Sequence, residues 1–401
     1  MRAHAGSLAL LVLAACSPAA VSPSLTIAEE TSGIPAPEPA WHLDADLAGE
    51  ARSFFFAQGD LYRAGVQPSA NPSIADVLRA LGRDDLAGPT FETGAENACP
   101  QQWVEPIEMI ARATSGERFV IIETERSAPA QIAFVEDIVT RLSNEGFSSY
   151  ADDGLTLGPG GAAHPDVPLI TEGMVTRDTV YGRLLRAAKT GGLELIDAGV
   201  WWSSANELAA LSPAEHMRRR REALAIQVSR RAFASNPDAR VILHTQRSAE
   251  DFAEGSLKET ATRLAGHEPL VIALTSCSET DEPPAFLPGH GSGVSSAASA
   301  DLVFAIPRAF EIDGRLTSGA REDERAVNVP ANLLLPSETV LIEARREGEP
   351  DLAVPEDRLM LFPGETLPLV LPPGAYRIEA WTKQGPVAAP VSVIVQEAPP
   401  V

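Results

Sequence analysis

The chain has 401 residues, 44% of them apolar and 22% charged, and a formal net charge of −23. That length is long for one hydrophobic core and argues for two domains. So acidic a chain excludes recognition of nucleic-acid phosphates and a broad electrostatic grip on anionic lipid.

Residues 1–15 join one positive charge, Arg2, to a short apolar run through Leu8, Leu10, Leu11, Val12 and Leu13. A charged start, an apolar stretch too short to span a bilayer and small residues before a cut describe an export signal. Leu13-Ala14-Ala15-Cys16 resembles a bacterial lipobox. That resemblance implies cleavage before Cys16, acyl chains on Cys16 that anchor the protein to a membrane, and, with Ser17 following, sorting to the outer membrane of a bacterial envelope. An ordinary secretory signal with a chance cysteine is the plainer alternative. Residues 16–40 are rich in Pro, Ser and Ala and read as a tether. Cys99 and Cys277 are then left as an even pair, either a disulfide in an oxidising compartment or two buried thiols.

From 41 to 307, strand-like apolar runs alternate with helical stripes. Arg118 to Glu123 reads as a buried strand. Ser127 as N-cap and Pro129 in the first turn then open a helix with the stripe Val135, Ile138, Val139 and Leu142, stopped by Gly146. Strands at 147–151 and 193–196 flank a helix through Val180, Leu184 and Ala188. A long helix from Pro213 to Ala234 is broken by Asn236-Pro237, and strands follow at 240–244, 269–274 and 302–306. Alternation of this kind predicts an α/β domain with a mostly parallel central sheet flanked by helices. From 308 to 401 no helical stripe survives; runs at 339–344, 358–361, 367–371, 376–381 and 391–395, separated by Pro, Gly, Asn and Asp, predict a small all-β, sandwich-like domain.

Four segments carry a family resemblance: Ile122-Glu123-Thr124-Glu125-Arg126, Ala130-Gln131-Ile132-Ala133-Phe134, Gly146-Phe147-Ser148-Ser149-Tyr150-Ala151-Asp152-Asp153, and Asn236 through His244. Together with the spacing between them, they resemble the haem-binding ChaN, Tiki and erythromycin esterase-like superfamily over roughly 100–280. The resemblance implies an acid and a histidine two positions apart at the end of the first strand, a second acid after the next strand, and a histidine pair after a later one, jointly able to bind a metal or run acid–base chemistry on water. Here Glu123 matches the first acid, Glu125 stands at the histidine position, and Arg126 follows it. Asp152 or Asp153 matches the second acid, His244 the first later histidine, and the second falls near Ala249. An unperturbed glutamate is already ionised where an imidazole shuttles protons, so the replacement changes the chemistry. Three readings follow: a degenerate, non-catalytic pocket that binds a small ligand or an envelope protein; an oxygen-rich divalent-cation site from Glu123, Glu125 and Asp152 serving a hydrolase; or carboxylates without a role. Haem ligation has only Tyr150 and His244 as candidates.

Trp201-Trp202 follows a strand end, where loops of α/β sheets hold ligands, and reads either as a ligand clamp or as loop packing. Arg218 to Arg221 point around a helix and read as solvated partners of Glu215 and Glu222. Gly289-His290-Gly291-Ser292-Gly293 lacks the glycines two before and two after the serine that a nucleophile elbow needs. Gly158-Pro159-Gly160-Gly161 reads as a loop over the site.

Overall fold

The computed structural model describes residues 45–87, 106–125, 128–155, 157, 166–173, 177–198, 212–234, 236–247, 257–277, 285–286, 300–307, 310–317 and 323–397. The export signal, Cys16, the tether, Cys99, Arg126, Ser127, Trp201, Trp202 and the two glycine-rich stretches at 158–161 and 289–293 lie outside the described residues. Among the described residues no helix is long and apolar enough to cross a membrane.

Three helices open the described chain: α1 (Ala45–Arg63), α2 (Pro72–Ala80) and α3 (Asp84–Ala87). The α/β unit follows, with α4 (Pro106–Thr114), β1 (Phe119–Glu125), α5 (Pro129–Ser143), β2 (Ser149–Asp152), α6 (Thr179–Thr190), β3 (Glu194–Asp197), α7 (Pro213–Val228), β4 (Val241–Arg247), α8 (Leu257–Ala265), β5 (Leu270–Cys277), β6 (Ala285–Phe286) and β7 (Leu302–Pro307). These strands form one sheet in the order β3-β2-β4-β1-β5-β7-β6, parallel except for the antiparallel edge strand β6. The sheet is apolar on both faces because it is covered on both. Val120 and Ile122 of β1 pack with α5 and α6, while Phe119 and Ile121 pack with α7 and α8.

Two local departures have plain causes. The helix after β1 takes Ala128 as its N-cap, with no side-chain cap bond, so Pro129 at the first position supplies the start signal. The long helix ends in a π-helical turn, Ser229–Phe233, which turns Phe233 onto Phe119 and His267.

The connections leave β1 and β4 in opposite directions. From β1 the chain steps over β4 to β2 through α5, on one face; from β4 it steps over β1 to β5 through α8, on the other. The carboxyl ends of β1 and β4 therefore flank a topological switch point, the place where open α/β sheets hold their chemistry.

The C-terminal region is antiparallel. It comprises β8 (Phe310–Ile312), β9 (Arg315–Thr317), β10 (Arg325–Val327), β11 (Val340–Arg346), β12 (Asp357–Leu361), β13 (Leu369–Leu371), β14 (Gly374–Thr382), β15 (Gly385–Pro386) and β16 (Val391–Val395). Strands β12, β11 and β14 pair in that order, with β15 and β16 both on β14, and the separate ladder β10-β13 closes over the inner face. Ile342, Leu359, Leu371, Tyr376 and Ile378 fill the space between.

The other face of this sheet is covered by the start of the chain. Phe55 and Phe56 of α1 and Leu81 after α2 pack on Leu341 and Met360. The sequence places everything from 41 to 307 in the α/β unit, but residues 45–87 dock on the C-terminal sheet. An amphipathic helix reveals that it has a buried face, not which sheet it covers. Segment 166–173 ties the two regions together: Ile170 N–H donates to Leu352 O at 3.0 Å, Val354 N–H donates to Pro168 O at 2.9 Å, and Arg186 of α6 bonds both oxygens of Glu349. Gly182 lets α6 lie directly on Val354, since any Cβ there would collide with that side chain.

Beneath α1 the sheet carries charge instead of hydrocarbon. Glu343 is 2% exposed and receives Arg52 Nε, Arg345 Nη2 and Arg358 Nε, each at 3.0 Å. Burial alone would raise its carboxyl, but the Arg345, Arg358 and Arg52 guanidiniums hold it well below the ordinary carboxylate range. Glu343→Gln leaves those cations facing a neutral amide and is expected to cost about 3–5 kcal/mol at neutral pH. Because the folded carboxyl titrates below the unfolded one, its contribution is complete above about pH 4.3 and is lost as the pH falls. Urea unfolding of both proteins should show the gap narrowing in acid; a gap that ignores pH rules this account out.

Candidate functional site

Period-two alternation decides which side chains meet at the switch point. The register sets Asp152 of β2 beside His244 of β4, and His244 beside Ile122 of β1. Ile122 faces α5 and α6, so Asp152, His244 and, two residues beyond Ile122, Thr124 all point to that side. Helix α6 adds Tyr181 from above, and Tyr150 precedes Asp152 on the same face. Asp152, His244, Thr124 and Tyr150 have no solvent exposure.

Their hydrogen bonds form a directed chain. Asp152 Oδ2 lies 2.7 Å from His244 Nδ1, and His244 Nε2 lies 3.0 Å from Thr124 Oγ1. Tyr150 donates its hydroxyl to Asp152 Oδ2 at 2.7 Å, and Gly154 N–H donates to Asp152 Oδ1 at 2.7 Å. The Tyr150 and Tyr181 hydroxyls also lie 3.0 Å and 3.4 Å from His244 Nδ1. Burial, reinforced by the Asp152 charge, pushes both phenols well above their ordinary range, so both stay protonated and serve as donors. An ionised carboxylate only accepts, so in the neutral imidazole this network assigns the proton to Nδ1 and leaves Nε2 to accept from Thr124. A carboxylate orienting an imidazole whose far nitrogen holds a hydroxyl is the geometry of an activated nucleophile.

The other candidates lie elsewhere. Glu123 follows Ile121 onto the α7 and α8 side, in register with Thr245 and Ala273. Asp153 joins that side, accepting from Thr245 Oγ1 at 2.7 Å and from Arg220 of α7, which also donates to Gln246 O at 3.0 Å. Glu125 spans the strand ends: its carboxylate receives Ser276 Oγ at 2.7 Å, Thr275 Oγ1 at 2.9 Å, Gln131 Nε2 at 3.0 Å and Ser276 N–H at 3.2 Å. It clasps β1 to β5 and to the start of α5. Glu123, Glu125 and Asp152 are thus not brought to one point, and among the described residues no group of three or more His, Cys, Asp or Glu is arranged to hold a metal ion. Cys277, at the end of β5, is buried and disulfide-bonded, its partner lying outside the described residues.

The arginine run divides. Arg218 pairs with Glu215 and Glu222, and Arg219 with Glu215, as expected of a solvated helix face. Arg220 reaches Asp153 instead, and Arg221 is buried. Sequence reasoning passed over Thr124 and Tyr181. Thr124 sits between the two glutamates that drew attention, and Tyr181 shares a helical stripe with Leu184, Leu185 and Ala188 that reads as plain core.

No family model matches the chain, and no curated protein matches it. Among solved structures the chain is similar to one described as "The structure of the type III effector HopBA1", at 11% identity with a TM-score of 0.34, over 54% of this chain and 99% of that one.

Two measurements check the network. Tyr150→Phe removes one donor from a buried carboxylate and is expected to lower stability by about 1–3 kcal/mol in urea unfolding. Nitrogen-15 NMR at neutral pH should find the His244 proton on Nδ1, with Thr124→Val moving the Nε2 resonance most. A proton on Nε2 contradicts the assignment.

Proposed function

We propose that the protein is an exported, lipid-anchored envelope protein whose α/β unit hydrolyses esters through Thr124, His244 and Asp152. The observation that carries this reading is the serial hydrogen bonding, 2.7 Å from Asp152 to His244 and 3.0 Å from His244 to Thr124, joining the carboxyl ends of β2 and β1 through the middle of β4. Thr124 Oγ1 attacks the ester carbonyl carbon and passes its proton to His244 Nε2. The departing alkoxide takes that proton, and water then releases the acid from Thr124 by the same route in reverse. Asp152 holds the ring and stabilises the imidazolium. Export fits a disulfide at Cys277, since such bonds persist in oxidising compartments. The resemblance of 119–153 and 236–244 to the ChaN and erythromycin esterase-like superfamily belongs to this proposal.

A second reading rests on the complete burial of the three groups. In it the network is a clasp joining β1, β2, β4 and α6, and the unit binds a small ligand or envelope partner without turnover.

Hydrolysis of p-nitrophenyl esters separates the two. His244→Gln and Thr124→Val are expected to reduce kcat/KM about 10³-fold or more, Thr124→Ser to retain turnover, and mass spectrometry to find an acyl group on the Thr124 peptide. Turnover that persists in Thr124→Val, or its absence from the unaltered protein, leaves the clasp reading. Export and anchoring are tested by palmitate incorporation, expected to vanish in Cys16→Ser.

A further inference from the structure

A groove of about 500 Å³ runs between α1 and the β14–β15 hairpin, a volume within the range of small-molecule sites. It shares no residue with the His244 network. Phe56 and the Trp381 indole give it apolar walls, and Asp60 and Lys383, an ion pair, stand at its rim. The Arg52 guanidinium lies 3.6 Å from the centre of the Trp381 ring.

Two buried donors in the groove wall have no acceptor among the described residues. Trp381 Nε1 has no hydrogen-bond partner, and neither has Arg52 Nη2, which lies 3.9 Å from Glu379 Oε2. Arg52 itself is 9% exposed. Buried donors are almost always met, so two in one wall call for an explanation. Charge points the same way. Beneath the groove Arg52, Arg345 and Arg358 share the carboxylates of Glu343 and Glu379, so cations outnumber anions in that cluster. Asp60 and Lys383 cancel at the rim. An acceptor that also carries negative charge satisfies both conditions, and the aromatic walls suit an apolar body behind it.

We propose that this groove is a binding site for a small carboxylate with an apolar body, its carboxylate received by Arg52 Nη2 and Trp381 Nε1 and its body held between Phe56 and the indole. Both nitrogens are sealed from water in the open groove, so the proposal requires the indole, next to the two-residue Lys383-Gln384 turn of the hairpin, to tilt as the ligand seats.

Phenylacetate serves as the probe, titrated into the full chain by calorimetry and by NMR of the Trp381 indole N–H, with phenylacetamide as its neutral counterpart. Saturable binding in the millimolar range or tighter is expected for so small a ligand. Phenylacetamide should bind more weakly. Trp381→Phe keeps the ring and loses the N–H, and should weaken phenylacetate about tenfold. Arg52→Gln should weaken it at least as much, read only if thermal unfolding shows the variant folded. No saturable binding, equal affinity for the amide, or an affinity unmoved by Trp381→Phe would each overturn the proposal.

Discussion

A carboxylate sealed in an apolar core survives only if its lone pairs are met, and Asp152 imposes that condition on everything near it. Among the described residues no lysine or arginine bonds it; its oxygens are met by Tyr150, His244 and the Gly154 amide. Those donors come from β2, β4 and the turn after β2. Satisfying one anion therefore fixes the register of β2 against β4 and the tautomer of His244 together. Whatever chemistry the site performs inherits its geometry from this electrostatic demand.

Most of the fold was legible in the sequence because unbroken runs such as Phe119 to Ile122 and Val271 to Leu274 have few alternatives to a doubly covered strand. The site was legible only in part. Asp152 and His244 were singled out through the family resemblance, and the structure places them in contact. The partners were not, because alternation along one strand says which residues share a face, whereas facing across strands depends on register. Glu123 and Thr124 differ by one position, and the alignment of Ile122 with His244 gives the histidine to Thr124. Glu125 looked like a site residue because it stands at the histidine position of the family resemblance, whereas its carboxylate clasps the hydroxyls and amides of the neighbouring strand ends. Arg220 was hidden in a run of four arginines whose other members answer to nearby glutamates or to burial.

The C-terminal sheet solves a different electrostatic problem. Its outer face buries Glu343 and Glu379 with Arg52, Arg345 and Arg358, an arrangement whose Coulombic gain is largely offset by desolvation. Alternative packings of α1 on a purely apolar face would differ little in energy. Here only one placement brings Arg52 onto both Glu343 and the Trp381 ring, so the ion cluster selects the position of α1 even where it adds little net stability.

The docking of α1 on β11 and β14 has a consequence for the order of events in synthesis. Helices α1 and α2 have as their partner strands that lie nearly three hundred residues further along the chain. Phe55 and Phe56 stay uncovered until those strands are in place, which makes this closure a slow, long-range step and the waiting chain a natural client for a holding chaperone. For the same reason the α/β unit cannot be isolated by trimming the carboxyl end alone: such a cut strands α1 and α2 without their sheet, so both ends have to be removed together.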